Sequence, residues 1–542
     1  MKIRNCLQNE LYSALGDLRT DIGSNSGDPD LSKIAVEPPR DRSHGDWSSN
    51  AALVMAKMLQ QPPRRLAEKL AALLRDSGIP HVESVEVAGP GFLNFHLSPT
   101  WLHEVLCDVV ENDTDNYARH NKGNGRTVSV EFVSANPTGP LHAGHSRWAA
   151  YGDSLCRLFK RCGYNVVREF YVNDRGRQIE LYAESLVARS RGENPPEDGY
   201  HGEYLIDWAK EMPADVDPEE WGLQRAHKNQ KATLEKMNVA FDLWTSEREL
   251  VARGAMDKTL TRLRNLGVVY ESEGATWLQT SKYGDDIDRV LVRSNGDPTY
   301  FLPDIAYHHE KFSRCGIVID ILGADHHGYV GRMRAAMASF GYDPSCYEAI
   351  IGQNAILRRN NKEVRLSKRA GTMVLASQLI DEVGADVTRL TYLLQSIDTT
   401  QTIDIDLITT QSAENPVYYL QYAHARMRSL ERKAADLNIE RIPLAEADLS
   451  VLTHERELDI LRSLAFLPDV ILTAMGGRSP HRLTTWTCEL ASVFHRFWHD
   501  CPILHSDTTE DVRQARLWLV EATRIGLAIS LDILGVTAPE RL

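Results

Sequence analysis

Apolar positions recur along the chain in two rhythms, and the places where the rhythm changes divide it. Residues 48–60 have a helical composition that Pro62 and Pro63 stop. Leu66, Leu70, Leu73 and Leu74 then stripe a second helix closed by Gly78. Val85, Glu86 and Val87 alternate, Gly89, Pro90 and Gly91 mark a turn, and residues 92–97 read as a strand. The polar stretch 111–126, rich in Gly and Asn, predicts a domain boundary. Beyond it, Val128, Val130 and Phe132 alternate as a strand, residues 134–140 are turn formers, and a helical pattern covers about 141–160. A strand, a Gly- and Pro-bearing loop and a helix N-terminus together form the usual phosphate-facing corner of an α/β sheet.

A second strand is predicted at 166–171. Residues 191–224 hold ten acidic side chains against two basic ones, with Pro195, Pro196 and Pro218. They read as a solvated insertion, not as another core repeat. Residues 316–322 form a buried-strand candidate, and a charged loop follows residues 350–357. From about residue 414 the pattern is helical throughout. Val417, Leu420, Ala423, Met427 and Leu430 make one face, and Val512, Ala515, Leu519, Ala522, Gly526, Ile529 and Ile533 another. The expected fold is α/β: a Rossmann-like parallel-sheet catalytic domain with an N-terminal α+β module and a C-terminal all-α helical bundle. The expected domains are 1–115, 116–405 (with an insertion at about 185–285) and 406–542.

Composition narrows the class. Hydrophobic residues at 42% and charged residues at 25% exclude a disordered chain. No run of 18 uncharged apolar residues offers a membrane span, and the N-terminus lacks the apolar core of a secretory signal, so a cytoplasmic protein is expected. The balance of 61 basic and 75 acidic residues leaves a net charge of −14, so any nucleic-acid partner must meet a local basic surface. Arg outnumbers Lys by 45 to 16, in keeping with a GC-rich genome and, functionally, with planar phosphate contacts. Eight scattered cysteines without a C-x-x-C pair predict reduced, apolar side chains and no zinc or other dedicated metal site.

Two short segments carry candidate chemistry. His142-Ala143-Gly144-His145 opens a predicted helix, and Leu366-Ser367-Lys368-Arg369 sits in a charged loop 223 residues further on, counted from His145 to Lys368. Either alone is a weak signal. In this order they resemble the HIGH and KMSKS motifs of class I aminoacyl-tRNA synthetases. The resemblance implies attack of an amino-acid carboxylate on the α-phosphate of ATP. That nucleophile is already ionised, so the enzyme must supply positioning and donors for growing phosphate charge. His142, His145 and Lys368 are the implied catalytic residues, and Gly144 and Ser367 join them around ATP.

Four longer stretches are similar to arginyl-tRNA synthetases. They are residues 131–145, residues 297–306 with 323–329, and residues 415–426, together with the chain end from Gly535 to Leu542 and the N-terminal 44–52 and 89–95. The similarity covers the whole chain and is weakest over roughly 185–280. It implies an arginine pocket of Glu131, Ser134, Asn136, Tyr300, Asp304 and Asp325, because a guanidinium needs acceptors in bidentate reach. In it, Tyr300 would pack on the guanidinium face or donate a hydrogen bond, and Asn136 and Asp325 would hold the amino and carboxylate ends. Glu131 taken by itself is a solvent-facing strand position, and Asp304 a helix N-cap. Such a pocket needs no editing domain, since a lysine or an apolar analogue would leave carboxylates unpaired.

The same resemblance makes 1–115 an additional tRNA-contacting domain, with Phe92 and Asn94 as contacts, and 406–542 an anticodon-binding domain. Between residues 411 and 542, 14 basic residues face 18 acidic ones, so unstacked bases would meet Tyr418, Tyr419, Tyr422 and Arg426. ATP is a substrate, Mg2+ accompanies it without a dedicated protein site, and the family suggests a monomer. One departure stands out: Arg365 occupies the first lysine position of the KMSKS-like loop. Three rival readings exist. A metal-dependent phosphoesterase would use Asp325-His326-His327, but the upstream aspartates of a two-metal centre are missing. A non-catalytic paralogue is opposed by the intact histidines and lysine, and a class I enzyme for another amino acid by the acidic pocket.

Overall fold

Five short runs, all but the third rich in Val or Ile, build the central sheet: β1 (Thr127–Glu131), β2 (Asn165–Val172), β3 (Leu243–Ser246), β4 (Ile317–Gly323) and β5 (Tyr347–Gly352). All four pairings are parallel, in the order β5-β4-β1-β2-β3. A parallel sheet is covered on both faces, which is why Val128, Val130, Val318 and Ile319 are fully buried. The winding direction reverses between β1 and β4, so a crevice opens at their carboxyl ends, the place where such sheets bind ligands. This computed structural model describes residues 2–22, 30–364, 374–410 and 415–541. It forms two compact units, one of Met1–Tyr117, Leu430–Asp469 and Ser492–Gly526 and the other of Ala118–Ser429, Val470–Ala491 and Leu527–Leu542.

In the second unit, helix α1 (Ala143–Arg161) follows β1 and buries Ala149, Ala150, Leu155 and Leu158. It passes so close to the sheet that a Cβ on Gly152 would lie 2.3 Å from the Phe132 ring. Helix α2 (Phe301–Arg314) precedes β4, and helix α3 (Ala385–Leu393) lies beyond the strand pair Ala355–Arg359 and Lys362–Val364. Two expectations change here. The stretch 191–224 is not merely solvated. Helices Arg177–Ser190, Tyr204–Glu211 and Pro218–Lys236 bury Tyr182, Leu186, Leu205 and Trp208 against one another, with acidic residues left outside. The edge strand β3 also falls inside the expected insertion, because four residues are too few to show a period in sequence.

The first unit contains a four-stranded antiparallel sheet, in the order Val36–Glu37, Trp47–Ser49, Phe92–Leu97, Val82–Ala88. Helix Pro63–Asp76 buries Leu66, Leu70 and Leu74 in this unit. The helix expected over 48–60 begins instead as strand Trp47–Ser49, and only Ala51–Met55 is α-helical. Pairing of Ser48 with Asn94 and Glu37 overrides local helix preference. Four long helices, Pro416–Asp436, Glu455–Gly476, Pro480–Asp500 and Glu510–Leu534, make up the C-terminal part, with Val417, Leu420, Ala423, Met427 and Leu430 buried as their spacing predicts. Each helix has residues in both compact units. Among the described residues, no helix is long and apolar enough to cross a membrane.

Candidate active site

The crevice at the β1–β4 reversal is the region of Glu131, Ser134, His142, His145 and Asp304. Leaving β1, the chain turns sharply: Val133 and Ser134 have φ of 69° and 38°, a conformation a β-branched residue adopts only when its surroundings impose it. Two hydrogen bonds hold the turn. The Ser134 hydroxyl donates to Glu131 Oε1 at 2.8 Å and accepts the Tyr171 backbone N–H at 3.1 Å. The loop then reaches His142, the N-cap of α1. The His142 backbone N–H donates to His145 Nδ1 at 3.2 Å, and the two rings stack 3.7 Å apart. An acceptor at Nδ1 leaves the proton of a neutral imidazole on Nε2, so His145 presents an N–H donor beside the positive end of a helix.

Lys368, Ser367 and Arg365 lie outside the described residues, but the chain leaving their loop is described. Val374 accepts a hydrogen bond from the Ala143 N–H at 2.9 Å, the Ala376 N–H donates to Leu141 at 2.8 Å, and Leu375 bridges His142 in antiparallel fashion. The chain six residues beyond Lys368 is therefore joined to the start of the histidine motif by main-chain pairing.

The acidic residues fall into two groups. Asp320 of β4, Glu131 of β1 and Glu169 of β2 are direct register partners, a row of three buried carboxylates across neighbouring strands. Helix α2 covers that row with cations one helical turn apart: His308 Nε2 meets Asp320 at 2.7 Å, Lys311 meets Asp320 at 2.6 Å and also Glu131, and Arg314 donates to both oxygens of Glu169 at 2.9 Å. Tyr307 adds a 2.9 Å bond to Glu131. Burial alone would lower the lysine and raise the aspartate. Here the partners prevail, so Lys311 is held above and Asp320 well below its usual range. Glu131 is thus neither solvent-facing nor lacking a cation.

Asp304 lies one turn before His308 on α2 and feels the charges of His308, Glu131 and Asp320. Burial pushes its carboxyl up, and the Tyr329 hydroxyl donates to it. It sits in the first turn of α2, where Tyr300 is the cap residue. Glu247 is also raised by burial; it receives the Tyr171 hydroxyl and stands 3.9 Å from Arg175. Two carboxylates kept above their usual range suit a cationic ligand, because its charge would relieve both. Sequence reading missed Glu247, Tyr329, Tyr307 and Lys311. The α2 residues were open to discovery through their i, i+3, i+4, i+7 spacing from Asp304, but Glu247 lay in the stretch taken as insertion.

Tyr300 is 87% exposed, and it is the Tyr329 hydroxyl that meets Asp304. Asn136 is half-buried and donates to Gln178 at 2.7 Å. Asp325 belongs to a 3-10 turn directly after β4, and its side chain lies outside the described residues. In the N-terminal sheet Phe92 is exposed, whereas Asn94 is buried and accepts the Ser48 hydroxyl at 2.9 Å. On helix Pro416–Asp436, Tyr418 and Tyr422 stack nearly parallel at 6.1 Å, and the Arg426 guanidinium lies 4.6 Å over Tyr422.

Comparison with known proteins agrees with this architecture. Residues 1–97 match the family model of the arginyl tRNA synthetase N terminal domain, residues 107–220 and 215–406 that of the tRNA synthetases class I (R) catalytic domain, and residues 420–542 that of the DALR anticodon binding domain. The arginine–tRNA ligase of Moorella thermoacetica is 44% identical over 536 residues, covering 95% of this chain and 94% of that protein. The one from Frankia alni is 44% identical over 547 residues, covering 96% and 98%. The arginyl-tRNA synthetase structure of Thermus thermophilus superposes with a TM-score of 0.78 at 22% identity, covering 99% of this chain and all of that one, a likeness of fold. With this catalytic-domain match and relatives of such identity along nearly its whole length, the chain belongs to the arginyl-tRNA synthetase family of class I aminoacyl-tRNA synthetases.

Proposed function

We propose that the protein is an arginine–tRNA ligase: it condenses L-arginine with ATP to arginyl-adenylate and pyrophosphate, then transfers arginine to the 3′ end of its tRNA and releases AMP. The arginine carboxylate attacks the α-phosphate without a general base, since it is already ionised. His145 Nε2–H and His142 donate to phosphate oxygens at the N-terminus of α1, with Gly144 and Ser367 against the nucleotide. Lys368 neutralises the triphosphate most fully as the α-phosphate bond to pyrophosphate breaks, so its contact belongs to the transition state. Arg365 keeps the charge of the lysine it replaces with a different geometry.

Asp304 accepts the guanidinium, Tyr300 covers it, and Asn136 and Asp325 hold the amino and carboxylate ends. Ser134 and Glu131 shape the floor beneath. Residues 1–115 contact tRNA through the exposed ring of Phe92, with Asn94 beside it. Residues 116–405 carry the chemistry, and 406–542 bind the anticodon loop, where the Tyr418, Tyr422 and Arg426 ladder offers flat faces to unstacked bases. Mg2+ arrives with ATP, its ligands mostly phosphate oxygens and water. The enzyme works as a cytoplasmic monomer.

The observation that supports this reading most is the pairing of Leu141–Ala143 with Val374–Ala376 at the mouth of a crevice holding raised carboxylates. Pyrophosphate exchange into ATP, measured with each amino acid in turn and unfractionated tRNA, should respond to arginine. Exchange driven by another amino acid, or charging of tRNA with one, would refute the assignment.

A further inference from the structure

The end of the chain has no part in the mechanism so far, yet its main chain is built into the catalytic unit. Helix Glu510–Leu534 stops in a double turn: the Gly535 N–H donates to the Asp532 carbonyl and the Val536 N–H to the Leu531 carbonyl, each at 2.9 Å. This leaves the last carbonyls to be satisfied from elsewhere. Leu534 accepts from Arg389 Nε at 3.1 Å and from the Ser154 hydroxyl at 3.3 Å, and Asp532 accepts from Arg157 Nη1 at 3.1 Å. Arg389 is fully buried. Its remaining nitrogens donate to the Met237 carbonyl at 2.8 Å and to Asp153 Oδ2 at 2.7 Å.

These contacts converge on α1, which opens with the histidine motif, and on α3, which follows the loop of the second motif at one helix's remove. Asp153, Ser154 and Arg157 belong to α1, which starts at His142. Arg389 belongs to α3, the second helix after the Lys368 loop, and one turn further on Tyr392 donates its hydroxyl to the Ala143 carbonyl at 2.8 Å. Asp386 of α3 also accepts the Thr537 N–H at 3.1 Å. Arg389 therefore fastens α3 to the middle of α1, and Tyr392 fastens it to the histidine turn. The seat of Arg389 is shaped by Gly535, where φ is +69° and a Cβ would lie 2.1 Å from the guanidinium Nη2. Any side chain there would both strain the turn and displace the arginine.

We propose that Arg389 is a positioning residue for adenylate formation, seated on Gly535 and braced by Asp153, and that the C-terminal turn is thereby part of the catalytic scaffold. It touches no substrate. It sets the spacing between the His142–His145 turn and the returning end of the Lys368 loop. The inference rests on the ligase reading above, since that reading makes the spacing matter.

The test is arginine-dependent pyrophosphate exchange by the full-length enzyme, with kcat expressed per folded molecule and Tm recorded alongside. Gly535→Ala and Arg389→Lys should each lower kcat, by up to about 100-fold, with the KM for arginine and for ATP little changed, because misplacement acts on geometry more than on binding. Lysine is shorter than arginine and leaves room for the methyl group that Gly535→Ala introduces, while the strain of the turn remains, so the double variant should lose less than the sum of the two single losses. If Gly535→Ala does not fold, Arg389→Lys, which keeps a charge on Asp153, decides the matter by itself. A wild-type kcat per folded molecule in the variants, even with a lower Tm, would overturn the inference, as would fully additive losses in the double variant. No exchange with arginine by the unaltered enzyme would instead overturn the ligase reading.

Discussion

Asp304 and Asp320 lie in the same crevice, and burial acts on both in the same direction, yet they end on opposite sides of the usual carboxylate range. Asp320 is 3% exposed and is held low by Lys311 and His308. Asp304 is only partly buried and is pushed up, with a tyrosine hydroxyl as its hydrogen-bond donor among the described residues. The difference lies in the partner, not in the depth. A buried acid whose cation comes from the same chain is scaffold. One that is reachable from outside and kept above its usual range is poised for a cation from elsewhere. The row of Asp320, Glu131 and Glu169 under His308, Lys311 and Arg314 belongs to the first kind and Asp304 to the second, while Glu247 is kept high by burial although Arg175 stands 3.9 Å away.

The largest effect should come from breaking the scaffold side. Lys311→Met leaves Glu131 and Asp320 buried without their shared cation and should cost about 3–5 kcal/mol in urea-unfolding stability. A loss below about 1 kcal/mol would mean the row is not charge-balanced as described. Asp304→Asn should do the opposite. A raised folded-state pKa means stability is lost as pH rises through the interval between the ordinary and the raised value, so at neutral pH the amide should be as stable as the acid or more so. Its arginine KM should nevertheless rise about tenfold to hundredfold. An unaltered KM would remove Asp304 from the pocket.

The same contrast predicts a pH dependence. A guanidinium favours ionised Asp304 and Glu247, so arginine binding should release protons. The arginine KM should rise as pH falls through their raised pKa values and level off above them. A pH-independent KM in weak acid would contradict this. The smallest effect belongs to Tyr329→Phe, which removes a hydrogen bond favouring the charged carboxylate. The rise in KM should then begin at a slightly higher pH, with stability altered by about 1 kcal/mol or less.

Sequence alone revealed what is written locally. The strand before Ser134, the helix opening at His142, the strand ending at Gly323 and the buried stripe Val417, Leu420, Ala423, Met427, Leu430 all follow from periodicity, because burial on one face imposes a period of two or of about 3.6. Family membership was legible for a related reason: its motifs are contiguous stretches of chain. The strand β3 was not legible, since Leu243–Ser246 is too short to show a rhythm.

Tertiary structure decided the electrostatics of the crevice. Residues 131, 169 and 320 become neighbours only through the register of three parallel strands, and nothing near Glu131 in the chain announces that Lys311 will balance it. Likewise, Arg389, Asp153 and Gly535 read as unrelated residues until α3, α1 and the chain end meet. Periodicity records which face of an element is buried. The identity of what it is buried against is a property of the closed fold, because charge pairing depends on distances of a few ångströms between segments that the chain keeps hundreds of residues apart.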